Sequence, residues 1–295
     1  AWKRIDPAVY LDNWHIQLIS EYLQLVTFGK IKRLIINIPP RYGKSLLTSV
    51  TWPTWSWIFN PRMKFVFASY SSSLSFMHAG LRQALLHDEW WTGNWGDRIW
   101  LVRGHDNKME MMNNHLGEMF TTSVFGASTG RGGDCLVIDD PLNPQQATSG
   151  TMRENANTWF QQTMATRLND KKKGAIVIIM QRLHENDVSG SCLAEGGWVH
   201  LKIPAIAMDR ERIVFPLSGR VVIREPGDVL WPARETREML EFLRTKRMGS
   251  YAFSGQYQQE PAPDEGGILK KNWWQYYQLT DPHASLTPRQ ILGQL

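Results

Sequence analysis

The chain reads LIINIPPRYGKSLL over residues 34–47, and this stretch decides its fold. Residues 34–38 are apolar apart from Asn37 and rich in β-branched side chains, which predicts a short buried strand. The tripeptide GKS at 43–45 then opens a predicted helix. Gly-Lys-Ser between a strand and a helix is the part of a P-loop that contacts phosphates and Mg²⁺. Ile38 stands where the motif has its first glycine, so a surface turn with a chance Gly-Lys-Ser is the alternative.

The loop assigns roles to particular residues if it binds a nucleotide. Its backbone N–H groups and the N-terminus of the following helix would hold the phosphates. The predicted binding residues are Arg41, Tyr42, Gly43, Lys44, Ser45 and Leu46. Lys44 is expected to reach the β- and γ-phosphates of ATP and to be catalytic, and the Ser45 hydroxyl is expected to bind Mg²⁺.

A second strand pattern, LVIDD at residues 136–140, ends in two carboxylates. In P-loop enzymes an acid at this place holds Mg²⁺, and a neighbouring acid polarises the attacking water. We expect Asp139 to take the first role and Asp140 the second, although most such enzymes place a longer Glu there. The alternative for Asp140 is to cap a turn before Pro141, which is a common use of Asp.

Predicted strands and helices alternate over the first 200 residues, which indicates an α/β fold with a mainly parallel central sheet flanked by helices. Strand candidates at 65–68 and 119–122 lie between the loop and the acids. They favour a P-loop NTPase of the additional-strand, catalytic-acid type. The predicted division is 1–204 for the P-loop ATPase core, 205–262 for a lid or linker subdomain that returns to the core, and 263–295 for a linker.

Three arginines are candidates to stabilise charge on the γ-phosphoryl group. Arg41 lies in the loop itself and would act within its own subunit. Arg131, in the glycine-flanked segment 128–133, leads into the strand of the acids, so we expect it near the site and acting on a neighbouring subunit. Arg182 and Gln181 follow a buried strand, where they would sense the nucleotide. Each arginine has the alternative of being solvated or of capping the sheet.

Two further features are open to a functional and a plain interpretation. Gln17 is predicted to read the adenine edge, with Tyr10 or Trp14 against the ring. Its alternative is a polar position on an amphipathic helix. The basic run at residues 171–173 is typical of a solvated loop, but it also suits contact with phosphates.

The composition limits the possible classes of protein. Of 295 residues, 42% are hydrophobic and 21% are charged, as in a folded globular chain. The cysteines, Cys135 and Cys192, have no metal-ligand or disulfide spacing, which favours a reducing, intracellular setting. No apolar run approaches the ~18 residues of a membrane helix, so we expect no membrane partner. The net charge of +5 permits an anionic partner without requiring one.

Five motifs together resemble the large terminase subunits of tailed bacteriophages. They are PPRYGKS (39–45), STGRGGD (128–134), VIDDP (137–141), MQRLHEND (180–187) and YAFSGQYQQEP (251–261). The resemblance covers about residues 10–265. It implies an ATPase that uses ATP and Mg²⁺ to drive double-stranded DNA into a procapsid, with a lid and a C-terminal nuclease. Only 28 residues follow Gly267, with Asp281 their one acid, so we expect the nuclease to be absent from this chain.

The resemblance also implies partners and a location. The expected partners are double-stranded DNA, the portal ring of the procapsid, a small terminase subunit and further copies of this chain in a ring. The expected location is the host cytoplasm, with no place in the mature virion. Two other functions stay open at this point: a nucleic-acid helicase or translocase not tied to capsids, and a nucleotide-binding scaffold without activity.

Overall fold

The computed structural model describes residues 1–126 and 130–262. The predicted linker at 263–295 and two residues of the glycine-flanked segment, Ser128 and Thr129, therefore lie outside the described residues. Ala1–Ala262 forms one compact unit.

The described chain has one large sheet of eight strands. They are β1 Arg33–Asn37, β2 Lys64–Ser69, β3 Leu101–Asp106, β4 Glu110–Asn113, β5 Glu118–Ser123, β6 Cys135–Asp139, β7 Ala175–Met180 and β8 Val199–Lys202. Their spatial order is β3-β4-β5-β2-β6-β7-β1-β8. The six strands from β5 to β8 in that order are parallel, and β3 and β4 join antiparallel at one edge. The predicted α/β class with a mainly parallel sheet is confirmed.

The strand β7 lies between β1, which leads into the P-loop, and β6, which carries the acids. The loop strand and the acid strand are therefore not neighbours. This intervening strand is what the additional-strand type of P-loop fold requires, and the predicted class is confirmed in that respect.

Helices cover both faces of the sheet. They are α1 Trp2–Ile5, α2 Trp14–Thr27, α3 Trp52–Phe59 after a π-helical segment Leu46–Thr51, α4 Ser72–His87, α5 Glu89–Trp95, α6 Pro144–Ala147, α7 Gly150–Thr158 continuing as Trp159–Met164 and Ala165–Arg167, α8 Val188–Glu195, α9 Arg237–Phe242 continuing as Leu243–Met248, and α10 Gly249–Gln256. The helices α2 to α5 pack on one face of the sheet, and α7 and α8 pack on the other.

The alternation of side chains along β1 explains the two layers. Leu34 and Ile36 belong to the core on the face of α2, whereas Ile35 belongs to the core on the face of α7. Successive side chains of a strand point to opposite faces, so a strand buried on both faces reads as a continuous apolar run. Each such side chain contributes about 1.5 to 3 kcal/mol by leaving water.

The region after residue 204 adds a small unit beside the sheet. Its hairpin consists of β9 Glu211–Val214 and β10 Val221–Arg224. A small apolar cluster of its own contains Ala205, Ile206, Leu240, Phe253 and Tyr257. However, Phe215, Leu230 and Trp231 pack into the main core. The subdomain boundary at 204/205 stays a prediction.

The buried His15 makes the stability of this fold depend on pH. Its Nε2 donates to the carbonyl of Tyr42 at 3.2 Å, and its ring centroid lies 4.9 Å from that of Trp231. Burial lowers the pKa of His15 to about 4, although the bond to Tyr42 acts in the opposite direction. In the unfolded chain the pKa is about 6.5, so below that pH the unfolded state binds more protons than the folded state.

We therefore expect the free energy of unfolding to fall as the pH is lowered from about 6.5 to about 4. At 1.36 kcal/mol per pKa unit, His15 accounts for up to about 3 kcal/mol of that loss. Urea unfolding at a series of pH values measures it. The variant His15→Gln should show a shallower slope over this window, and an identical slope in both proteins would contradict the prediction.

Candidate functional site

The P-loop between β1 and the helical segment Leu46–Thr51 is shaped by its backbone. Gly43 has φ of +79°, a conformation that glycine adopts without strain. A Cβ at this position would also come within 2.7 Å of the Trp2 indole. Ile38 is fully buried and packs into the core. Ile38, at the position of the motif's first glycine, therefore contributes to the hydrophobic core.

Lys44 extends from this loop to the second acid of β6. It is 5% exposed, and its Nζ lies 2.8 Å from Oδ2 of Asp140. The backbone N–H of Gln181 also donates to the Asp140 carboxylate, at 3.2 Å. Burial raises the pKa of Asp140, and the Lys44 ammonium opposes that rise. Lys44 and Asp140 thus form a direct ion pair, a contact that the sequence did not predict.

Asp139 is 3% exposed and accepts hydrogen bonds from two serines, one at the end of the loop and one in the helical segment that follows. Ser45 Oγ donates to its Oδ1 at 3.0 Å, and Ser49 Oγ donates to its Oδ2 at 2.6 Å. On the other side, Nδ1 of His78 in α4 lies 3.6 Å from Oδ2. Burial lowers the pKa of His78, and Asp139 opposes that shift.

The oxygen atoms of Ser45 and Asp139 suit Mg²⁺, which prefers hard oxygen ligands and usually combines one or two protein groups with phosphate oxygens and water. In residues 1–126 and 130–262, no group of three or more His, Cys, Asp or Glu side chains is placed to hold a metal ion. The donor set therefore fits a metal that arrives with a nucleotide better than a metal held by protein alone.

A cavity of about 490 Å³ opens over the loop. This volume is within the range of small-ligand sites. Its walls include Arg41, Lys44 and Ser45 from the loop side and Trp231 and Arg234 from the region after residue 204. The loop and that region are also joined directly, because the Tyr42 hydroxyl donates to Glu235 Oε2 at 2.7 Å.

Sequence reasoning missed four residues around this site. Ser49 follows Ser45 by four positions, and this helical spacing was the available signal. His78, Trp231 and Arg234 come from segments distant in the chain, and nothing in their local sequence marks them.

The structure corrects the expected position of Arg131. The segment of Arg131 precedes β6, so it lies at the amino ends of the parallel strands, whereas Asp139 lies at their carboxyl ends. Its guanidinium pairs with Glu110 at 2.6 Å and with Glu118, the first residue of β5, at 2.5 Å. The prediction that Arg131 lies near the edge that carries the site of its own chain is wrong. A role on a neighbouring subunit stays a prediction.

Arg182 is likewise turned away from the cavity. Its Nε lies 3.0 Å from both carboxylate oxygens of Asp187, and its Nη2 donates to the carbonyls of His184 and Glu185. The guanidinium therefore fixes the turn between β7 and α8, and this arrangement contradicts its predicted contact with the nucleotide. Gln181 keeps only its backbone N–H contact with Asp140, and its buried side-chain oxygen has no partner among the described residues.

Gln17 is not among the residues that line the cavity. Its amide donates to Asp12 at 3.0 Å and accepts from Arg220 at 2.5 Å. In this arrangement the predicted adenine contact is replaced by polar contacts on the surface of α2. Arg41 does line the cavity, and within residues 1–126 and 130–262 it makes no ion pair.

The sheet order and the loop define an α/β fold of the P-loop NTPase class. No family model matches the chain, and no curated protein matches it. It is similar to solved structures of phage large terminases. For the HK97 bacteriophage large terminase the TM-score is 0.47 at 12% identity, covering 67% of this chain and 40% of that protein. For the large terminase ATPase domain of Thermus phage P74-26 the TM-score is 0.48 at 14% identity. That alignment covers 80% of this chain and 93% of the domain.

The aligned region thus spans less than half of the HK97 protein and nearly all of the isolated P74-26 domain. Among the described helices, none has the length and apolar character needed to cross a bilayer.

Proposed function

We propose that this chain is the ATP-hydrolysing motor of a viral DNA-packaging terminase. The observation that carries the ATPase assignment is the convergence of Lys44, Ser45, Asp139 and Asp140 at one edge of the sheet, beside a cavity of about 490 Å³. The packaging assignment is supported by the five motifs that resemble large terminases, in order along the chain.

The residues around the cavity have different roles in the proposed hydrolysis. Phosphate oxygens in the cavity compete with Asp140 for the Lys44 ammonium, which leaves the Asp140 carboxylate available to polarise water. Ser45 and Asp139 would hold Mg²⁺, which would supply positive charge to the β- and γ-phosphates. Ser49 keeps the Asp139 carboxylate oriented through its 2.6 Å hydrogen bond. Arg41, already at the cavity, adds positive charge from within the subunit.

The partners proposed with this function are double-stranded DNA, the portal ring of a procapsid, a small terminase subunit and further copies of this chain in a ring. The host cytoplasm is the proposed location, without incorporation into the mature virion.

ATP turnover with and without duplex DNA, followed by addition of procapsids that carry a portal, tests the proposal. We expect turnover that DNA stimulates, and DNA that becomes resistant to added nuclease only with procapsids and ATP. DNA-stimulated turnover without such protection would instead assign a helicase or translocase not tied to capsids. Absence of any turnover would leave a nucleotide-binding scaffold.

The Mg²⁺ assignment gives a separate prediction. We expect Asp139→Asn to lose Mg²⁺-dependent turnover while keeping the fold, because an amide cannot supply the charge that holds the cation. Mg²⁺ titration of nucleotide binding, followed with a fluorescent ADP, measures this apart from activity. Asp134→Asn, a change in an acid just before β6, serves as the matched control. A wild-type response of Asp139→Asn to Mg²⁺ would contradict the assignment.

A further inference from the structure

The amino-terminal ends of β1 and β7 bring together two basic runs that lie about 140 residues apart in the sequence. The two strands are neighbours in parallel register, with Arg33 opposite Ile176. The side chains concerned, here called the basic edge, are Lys30, Lys32, Arg33, Lys171, Lys172 and Lys173. All five lysines are exposed and Arg33 is partly buried. The two runs touch, because Lys32 Nζ donates to the carbonyl of Lys172 at 2.6 Å.

The lysines of the second run sit on an ordered turn. The Asp170 carboxylate accepts hydrogen bonds from the backbone N–H groups of Lys172 at 2.7 Å and Lys173 at 3.1 Å. The N–H of Gly174 closes the turn on the Asp170 carbonyl at 2.7 Å. These two backbone bonds, with the nearby lysines, lower the pKa of Asp170. Asp170 is the only acidic residue in the two loops, residues 28–32 and 168–174, and its carboxylate holds the turn in place.

The charge of the basic edge is otherwise uncompensated. None of its six cations forms a side-chain ion pair in the described part of the chain, whereas Lys64 and Arg131, further along the same ends of the strands, are paired with Glu118. Six cations against Asp170 leave an excess of five, which equals the formal net charge of the whole chain. The two loops therefore carry a local excess of positive charge where they meet.

We propose that the basic edge binds the phosphate backbone of duplex DNA. Exposed ammonium groups in a fixed array neutralise successive phosphates and release their counterions, which gives affinity without reading sequence. The basic edge lies at the ends of the strands opposite to the nucleotide cavity, so DNA and ATP do not compete for one surface. The choice of duplex DNA as the polyanion rests on the function proposed above.

The test is a charge-matched pair of triple variants. The first is Lys171→Gln/Lys172→Gln/Lys173→Gln. The control, Arg244→Gln/Lys246→Gln/Arg247→Gln, removes three exposed cations from the continuation of α9. Binding of a 30-base-pair duplex of random sequence is followed by fluorescence anisotropy at several salt concentrations. We expect the first variant to bind about tenfold or more weakly at low salt, with the slope of log K against log salt reduced by about 2 to 3. The control should keep the wild-type slope.

Three results would overturn the inference: equal losses in both variants, no binding of duplex DNA by the wild-type chain, or a loss confined to an acidic polypeptide such as poly-glutamate. A second variant, Lys30→Gln/Lys32→Gln, should weaken DNA binding in the same direction if the first variant folds poorly. ATP turnover without DNA should be unchanged in all of these proteins. If the wild-type chain hydrolyses no ATP but the basic-edge variants still lose DNA binding, the proposed motor function fails and this inference stands.

Discussion

Arg131→Ala is expected to lower the ATP turnover of the assembled protein by about 10³ to 10⁵, the range measured for arginine fingers in other phosphoryl-transfer systems. The position of Arg131 decides which subunit's nucleotide it could contact. It lies at the amino end of β6, one strand length of about 16 Å from the carboxyl end that carries Asp139. Its side chain cannot span that distance, so any contact with a γ-phosphate is made on a neighbouring subunit.

Mixing experiments separate the two subunits' roles. Arg131→Ala and Lys44→Ala proteins, each inactive alone, should recover part of the turnover when mixed, because some interfaces then pair an intact loop with an intact arginine. Head-to-tail contacts of this kind are how a ring closes. The absence of recovery, at concentrations where assembly is shown independently, would move the role to Arg41 acting within its own subunit.

A matched control removes one of the two ion pairs of Arg131 but keeps the arginine. Glu110→Gln loses the 2.6 Å pair to Nη2. The side chain of Arg131 is 42% exposed, so loss of such a pair should change stability by about 1 kcal/mol or less. Turnover of Glu110→Gln is therefore expected to stay near the wild-type value. A loss as large as that of Arg131→Ala would instead indicate a structural role for the pair.

Lys44→Ala is expected to lower turnover by at least 10² to 10³, which corresponds to about 3 to 4 kcal/mol of lost transition-state stabilisation. The β- and γ-phosphates lose their ammonium contact, and with it the charge stabilisation that Lys44 gives to the transition state.

Steady-state turnover at saturating ATP measures the effect, with the unfolding temperature as a check of the fold. Lys64→Ala is the control, because it removes a lysine–carboxylate pair, to Glu118 at 3.2 Å, at the opposite end of the strands. Near-normal turnover in a folded Lys44→Ala protein would exclude the P-loop assignment.

Much of the fold follows from local sequence patterns. The apolar run at 65–68 predicted β2 to within one residue at each end, since strands buried on both faces are apolar throughout. The Asn13 and Ser71 side chains cap α2 and α4, a local use of Asn and Ser that is common at helix starts. The edge strands β3 and β8 were missed, because their half-exposed sequences, LVRGHD and VHLK, lack the apolar signal of a central strand.

The sequence by itself determined the P-loop and the two acids, because residues that are adjacent in the chain stay adjacent in the fold. In the structure, Lys44 lies near Asp140 because parallel strands present their carboxyl ends at one edge of the sheet. The same rule puts Arg131, which precedes β6, at the far edge. Tertiary packing alone brought His78, Trp231 and Arg234 to the cavity. It also paired the Arg182 guanidinium with the Asp187 carboxylate. Such contacts depend on how helices and loops pack against the sheet, and no local sequence pattern predicts that packing.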